Sequence, residues 1–218
     1  MNPNAMNLAP KPGPAWPRRL SARALAAIAA LALPLAACSE AAPPAPVGPP
    51  PLEGAKLGGP FELTNGSKET VRWSDFDGQY RIVYFGFTNC PDICPTDVQR
   101  TMQGLRQFAG EYSEAADKIQ PIFITVDPAR DTPAKVEEFA AAFSDKLIGL
   151  TGTQEQVDAA ARNFGVAFYL EEPEENGAYN VQHARYTTLF GPDGQPIAFL
   201  PSDEGADAVQ AELAKWVR

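Results

Sequence analysis

A mixed α/β fold is what this sequence predicts, and three observations predict it. Two near-continuous apolar runs, Arg81 to Phe87 and Pro121 to Val126, read as strands buried on both faces. Between them Val98, Met102, Leu105 and Phe108 recur at spacings of 4, 3 and 3, which is one face of a helix. Two strands joined through a helix form a parallel crossover, right-handed by the twist of the strand. Toward the C-terminus, Tyr186 to Phe190 and Pro196 to Leu200 flank the turn sequence Pro192-Asp193-Gly194, so a hairpin makes the sheet mixed.

The other elements follow in order. Phe61 to Thr64 and Thr70 to Trp73, on either side of Asn65-Gly66, predict a small hairpin ahead of the first buried strand. The first helix is expected over Asp97 to Glu111. Asp127-Pro128 stops the second strand, and Thr132-Pro133 opens a helix with Thr as cap and Pro at the first helical position. Val136, Phe139, Ala140 and Phe143 are its buried face. A further helix is expected from Thr153 to Asn163, a strand from Val166 to Leu170 and a closing helix from Ala206 to Val217. That order predicts a thioredoxin-like mixed sheet flanked by helices, with an N-terminal β-hairpin extension, over residues 61–218.

The 218 residues carry 18 Lys+Arg against 27 Asp+Glu, and 44% are hydrophobic. This excludes a wholly disordered chain and a multi-span membrane protein. The acidic balance argues against nucleic acid as a partner. Of 22 prolines, 13 fall in the first 60 residues, so that stretch is a different kind of polymer. Residues 1–37 hold Lys11, Arg18, Arg19 and Arg23 and no acid, and an Ala/Leu-rich run ends in Leu35-Ala36-Ala37-Cys38. A basic stretch, a short apolar stretch and small residues describe an export signal. The last four residues resemble the lipobox of bacterial lipoproteins, which implies cleavage before Cys38 and a lipid on its thiol. A single transmembrane anchor is the competing reading, but an apolar run of about 18 residues is at the lower limit for spanning, and this one carries Arg23 and Pro34. Either way the domain is expected in the bacterial cell envelope, on the extracytoplasmic side of a membrane. Residues 38–60 then form the lipidated Cys and a Pro-rich spacer. Without residues 1–37 the chain has 14 basic against 27 acidic residues, net −13, so the lipid rather than surface charge would do the anchoring.

The domain has two thiols, Cys90 and Cys94, in Thr88-Asn89-Cys90-Pro91-Asp92-Ile93-Cys94-Pro95. They follow the C-terminal end of the first buried strand, where ligand chemistry collects in open α/β sheets. They also precede a helix, whose N-terminus favours the thiolate. If the segment is helical, the four-residue spacing puts both sulfurs on one face. Such a pair either exchanges electrons as dithiol and disulfide or grips a soft metal. The one histidine in the chain, His183, lies just ahead of a strand expected to run beside the first, so its imidazole would face the thiols. Two thiolates and an imidazole suit copper in both common oxidation states. From these residues alone, copper and thiol redox chemistry stand level.

Tyr84-Phe85-Gly86-Phe87-Thr88-Asn89-Cys90-Pro91-Asp92-Ile93-Cys94-Pro95-Thr96 resembles the signature of SCO/SenC proteins, membrane-anchored copper chaperones for cytochrome c oxidase assembly. Thr125-Val126-Asp127-Pro128-Ala129-Arg130-Asp131-Thr132-Pro133 is similar to the family's second block, and Ile148-Gly149-Leu150-Thr151-Gly152-Thr153 to its third. The resemblance implies copper held by Cys90, Cys94 and His183 and delivered to the dinuclear copper site of oxidase subunit II. Some members are also thought to reduce that subunit's cysteines, and the residues allow that alternative, thiol–disulfide reduction of the subunit or another exported protein: Cys90, nearer the helix entry, would attack and Cys94 resolve. Asp127 matches an acidic position near the family's site, where it would orient the loop or the imidazole. The chain departs from the family pattern twice. Asn89 stands where a His usually precedes the first cysteine, and Gln182-His183-Ala184 stands where Asp-His-Ser is usual.

Overall fold

The computed structural model describes residues 43–45 and 48–218. The expected export signal and Cys38 lie outside the described residues. Strands β1 (Glu62–Thr64) and β2 (Thr70–Arg72) form the small antiparallel hairpin, followed by a 3-10 turn at Trp73–Phe76. Then come β3 (Tyr80–Gly86), α1 (Ile93–Glu111), α2 (Ser113–Asp117), β4 (Ile119–Thr125), α3 (Pro133–Ala141), β5 (Ile148–Leu150) and α4 (Gln154–Asn163). The chain finishes with β6 (Phe168–Leu170), β7 (Val181–His183), β8 (Thr187–Phe190), β9 (Pro196–Leu200) and α5 (Ala206–Trp216).

The central sheet has the strand order β5-β4-β3-β8-β9. Strands β3, β4 and β5 are parallel, and β8 and β9 are antiparallel additions. β3 is the middle strand and all seven of its residues are buried, which is why it carries no polar alternation. Its side chains serve both faces of the sheet. Tyr84 stacks on Phe123, which meets Phe139 of α3, while Phe85 meets Phe164 at the end of α4. α1 packs on α5. The mixed thioredoxin-like sheet expected from the sequence is therefore present, and β8 lies antiparallel to β3 with Thr187 opposite Tyr84.

Four details differ from expectation, each for a physical reason. β5 carried no periodic signal, because it is three residues long with Gly149 at its centre. That glycine is needed for packing: a Cβ there would lie 2.2 Å from the Val136 carbonyl oxygen of α3. The strand expected near residues 166–170 does not join the main sheet. As β6 it pairs antiparallel with β7 in a separate hairpin, so Phe168 lies opposite His183. α1 begins at Ile93 rather than Asp97, because Pro95 is tolerated in a first turn where no N–H is needed. Finally, the stretch expected to be free spacer through Pro60 is seated on the domain from Leu52. The Leu52 N–H donates to Ile197 O at 3.0 Å, Gly58 N–H to Asn163 O at 2.9 Å, and Asn163 Nδ2 to Pro60 O at 2.9 Å. Leu57 packs against the core.

Candidate metal centre

The two cysteines occupy different environments because the helix starts between them. Residues 90–92 are not helical, so the sulfurs meet through a turn of chain and not along one helical face. Cys94 is fully buried in the first turn of α1, and Cys90 is part-exposed ahead of the N-cap residue Asp92. The Asp92 side chain makes no capping bond. The Cys90 sulfur takes that role, accepting the Cys94 backbone N–H at 3.3 Å.

Hydrogen bonding from the Cys94 thiol, with help from His183 and the backbone N–H groups of Cys94 and Asp92, pulls the Cys90 pKa down to about 4 against the opposing effect of burial. The same bond, together with burial, pushes Cys94 far up. The pair thus holds one proton, on the inner sulfur. Burial first, then the neighbouring negative charge, pushes the Tyr84 phenol up, so it stays neutral beside them.

His183 reaches this pair from 89 residues away: its Nε2 lies 3.2 Å from Cys94 Sγ. Nδ1 is 3.0 Å from the Ala184 carbonyl oxygen. A carbonyl cannot donate, so Nδ1 carries a proton, and Nε2 is the nitrogen that faces the sulfurs. The rings of Tyr84 and Phe87 stand edge-on to the imidazole at 6.1 and 6.0 Å. Among the described residues no group of three or more His, Cys, Asp or Glu side chains has its donors converged as a finished metal cage. The trio is a hydrogen-bonded cluster, and a metal taking it up would displace the Cys94 proton. A small cleft of about 140 Å³ opens beside Cys90, between Pro91 and Ile93 on one side and His183 and Arg185 on the other.

Asp127 touches neither sulfur nor imidazole. It is buried, and its carboxylate accepts the Tyr179 hydroxyl at 2.9 Å and the Arg130 Nε–H. Arg130 also donates to the Tyr179 carbonyl at 2.8 Å and lies 3.6 Å over its ring. Tyr179 sits four residues before His183, so of the two roles expected for Asp127 the geometry favours the loop.

The two departures from the motif both face outward. Asn89 is exposed, and Gln182 donates across the β6–β7 hairpin to Glu171 at 2.6 Å. Strand alternation explains this: when His183 points in, residue 182 must point out.

The sequence assigned no role to three residues that frame the site. Asp131, fully buried, accepts the Thr88 N–H at 2.9 Å and the hydroxyls of Thr88 and Thr125 at 2.6 Å each, fixing the chain just before Cys90. Asp97 and Arg185 form an ion pair at 3.0 Å between α1 and the segment after His183. Asp131 lies in a quoted motif, but its burial leaves no trace in composition. Asp97 and Arg185 are 88 positions apart, with no local pattern to link them.

Fold and site together define a thioredoxin-like dithiol protein whose buried thiol is met by an imidazole. A family model described as SCO1/SenC matches residues 49–218. SenC of Rhodobacter capsulatus is 41% identical over 155 residues, covering 71% of this chain and 68% of that protein. The mitochondrial SCO1 homologue of Homo sapiens is 35% identical over 162 residues, 74% of this chain, which spans only 53% of that relative's length. Among solved structures, Arabidopsis thaliana ScoI with copper bound superposes with a TM-score of 0.68 at 33% identity, covering 73% of this chain and 96% of that one. This chain belongs to the SCO1/SenC family.

Proposed function

We propose that this protein is a membrane-tethered copper chaperone. Cys90, Cys94 and His183 bind copper, and the protein delivers it to the dinuclear copper site of cytochrome c oxidase subunit II. A lipid on Cys38 holds the domain at the extracytoplasmic face of a bacterial envelope membrane. The observation that carries the reading is the contact of His183 Nε2 with Cys94 Sγ at 3.2 Å, with the Cys90 sulfur bonded to the same residue's N–H. The chemistry fits: thiolates are soft ligands that hold Cu(I), and an imidazole extends the set to Cu(II). Cys90 is already a thiolate at neutral pH, so an incoming ion meets one ready ligand at the rim and gains the second when Cys94 loses its proton. The part-exposed Cys90 is then also the ligand from which a partner's thiolate can take the ion.

A second reading has its own support. The same split of pKa directions is that of an attacking and a resolving cysteine. The Cys90 thiolate would attack a partner disulfide and release one partner thiolate. Cys94, giving its proton to His183 Nε2, would then attack Cys90 and release the other, leaving Cys90–Cys94 oxidised and the partner reduced by two electrons.

One titration separates the two. Residues 39–218, reduced, are loaded with Cu(I), Cu(II) and Zn(II), beside His183→Ala and Cys94→Ser. The chaperone reading expects one copper per chain, a Cu(II)–thiolate absorption band, and an affinity loss of roughly 10-fold or more in His183→Ala. Copper binding that ignores His183, with disulfide reduction intact, refutes it in favour of the reductase.

A further inference from the structure

The segment carrying the imidazole pairs with β6 at His183 itself and is also fastened by side chains on both sides. Ahead of it, Tyr179 is held by Asp127 and Arg130. Behind it, Arg185 lies two residues past His183 and meets Asp97, three residues past Cys94. The contact is two-pronged: Arg185 Nη2 is 3.0 Å from Oδ1 and 3.1 Å from Oδ2, and Nε is 3.2 Å from Oδ2. Asp97 is 1% exposed, and its Oδ2 also accepts the Tyr84 hydroxyl at 3.3 Å. Tyr84 is one of the two rings standing against His183. The contacts close a loop of short links. Cys94 leads to Asp97 along one helical turn, Asp97 to Arg185 by the ion pair, and Arg185 to His183 along two residues of chain. His183 returns to Cys94 through the 3.2 Å contact.

A guanidinium held at two points fixes orientation as well as distance, which a single ammonium contact cannot. The ring's polar contacts are to Ala184, its chain neighbour, and to the two thiols. Gln182 points away to Glu171, so the position where the family usually has an acid contributes nothing to the ring.

We propose that Arg185 and Asp97, with Tyr84 on the same carboxylate, form the device that positions the His183 imidazole over Cys94. Arg185 is therefore a positioning residue for metal capture rather than a surface ion pair. This rests on the reading of His183 as a copper ligand.

The chain has a single histidine, so selective 15N-imidazole labelling gives one ring to observe. The test uses reduced residues 39–218 without metal, and the variants Arg185→Met, Arg185→Lys and Asp97→Asn/Arg185→Met. In the parent, the ring shows contacts to Tyr84 and Phe87 and a fixed Nδ1–H tautomer. In Arg185→Met and in the double variant those contacts disappear and the ring nitrogens move to free-imidazole positions, while the remaining amide spectrum stays that of the folded domain. Arg185→Lys falls between. Copper affinity drops about 10-fold, the scale for lost partners of a ligand. A ring that keeps its contacts in a folded variant, whatever happens to Tm, overturns the proposal. The double variant leaves no lone buried carboxylate, so it reports if Arg185→Met does not fold, and Arg185→Lys, which keeps the charge, reports if neither does. If the parent binds no copper, the chaperone reading fails, and the ring spectra still decide what positions His183.

Discussion

At the residue scale, the chemistry comes down to one proton shared unequally by two sulfurs. Cys90 is held low chiefly by the bond from Cys94, so it is a thiolate over the whole working range. Cys94 is fully buried and pushed up, so it keeps its proton. A thiol alkylates only as the thiolate. The reduced protein is therefore expected to be modified at Cys90 alone, at a rate flat from neutral pH down to pH 5. The rate should fall tenfold per pH unit only below the Cys90 pKa of about 4, read by peptide mass after timed quenching. Cys94→Ala removes the largest lowering influence, so the pH midpoint should climb toward the ordinary thiol value of about 8.5. A midpoint unmoved by that substitution would show that the helix N-terminus, not Cys94, holds the thiolate. At Gln182 the opposite outcome is expected: its amide is exposed and bonded to Glu171 rather than to the ring, so Gln182→Ala should change copper affinity by less than about 2-fold.

At the element scale, the site depends on where β3 stops and α1 starts. Gly86, the last residue of β3, lies against the Cys94 sulfur. A Cβ there would sit 2.9 Å from the Tyr84 ring, 3.0 Å from Phe123 and 3.3 Å from Cys94 Sγ. Gly86→Ala is expected to cost about 1–3 kcal/mol by overpacking, measured by urea unfolding, and to weaken metal binding by displacing the inner sulfur. Asp131 does the corresponding work for the loop, bridging Thr88 to Thr125 across the β3–β4 ends. Asp131→Ala strands one buried and two part-buried donors and is expected to cost about 3 kcal/mol. These two substitutions also mark what could be read from sequence. The buried strands, the Thr132 cap and the two hairpins announce themselves locally, through apolar runs, a cap-plus-proline pair and turn residues. Cys90, Cys94 and His183 were legible because the domain holds no other thiol or imidazole. What stayed hidden is non-local: β5, a strand only because β4 is beside it, and the pairing of β6 with β7 in place of the main sheet. The carboxylates of Asp97 and Asp131 were hidden too, since they find their donors only after folding. An exposed acid and a buried, fully bonded one look identical in sequence.

At the scale of the whole molecule, the question is how far the thiols can travel. Residues 38–218 are strongly acidic, net −13, a surface that anionic headgroups would repel, so the proposed membrane location would depend on the proposed lipid. In the proposed tethered form the free spacer would be shorter than composition suggests, because Leu52 is already bonded to Ile197 on β9. Residues 39–51 lie between Cys38 and that bond in the sequence. A fully extended segment of that length would span roughly 40 Å at about 3.1 Å per residue, which sets the upper limit of reach for the proposed tethered form. Cys38→Ser is expected to move the protein from the membrane fraction to the soluble extracytoplasmic fraction while leaving copper affinity unchanged. Deleting residues 40–49 is expected to keep the membrane location and the affinity but lower oxidase assembly in cells. Fractionation and oxidase activity read the two apart. Full assembly from the shortened chain would mean that reach is irrelevant and that transfer occurs from any position at the bilayer.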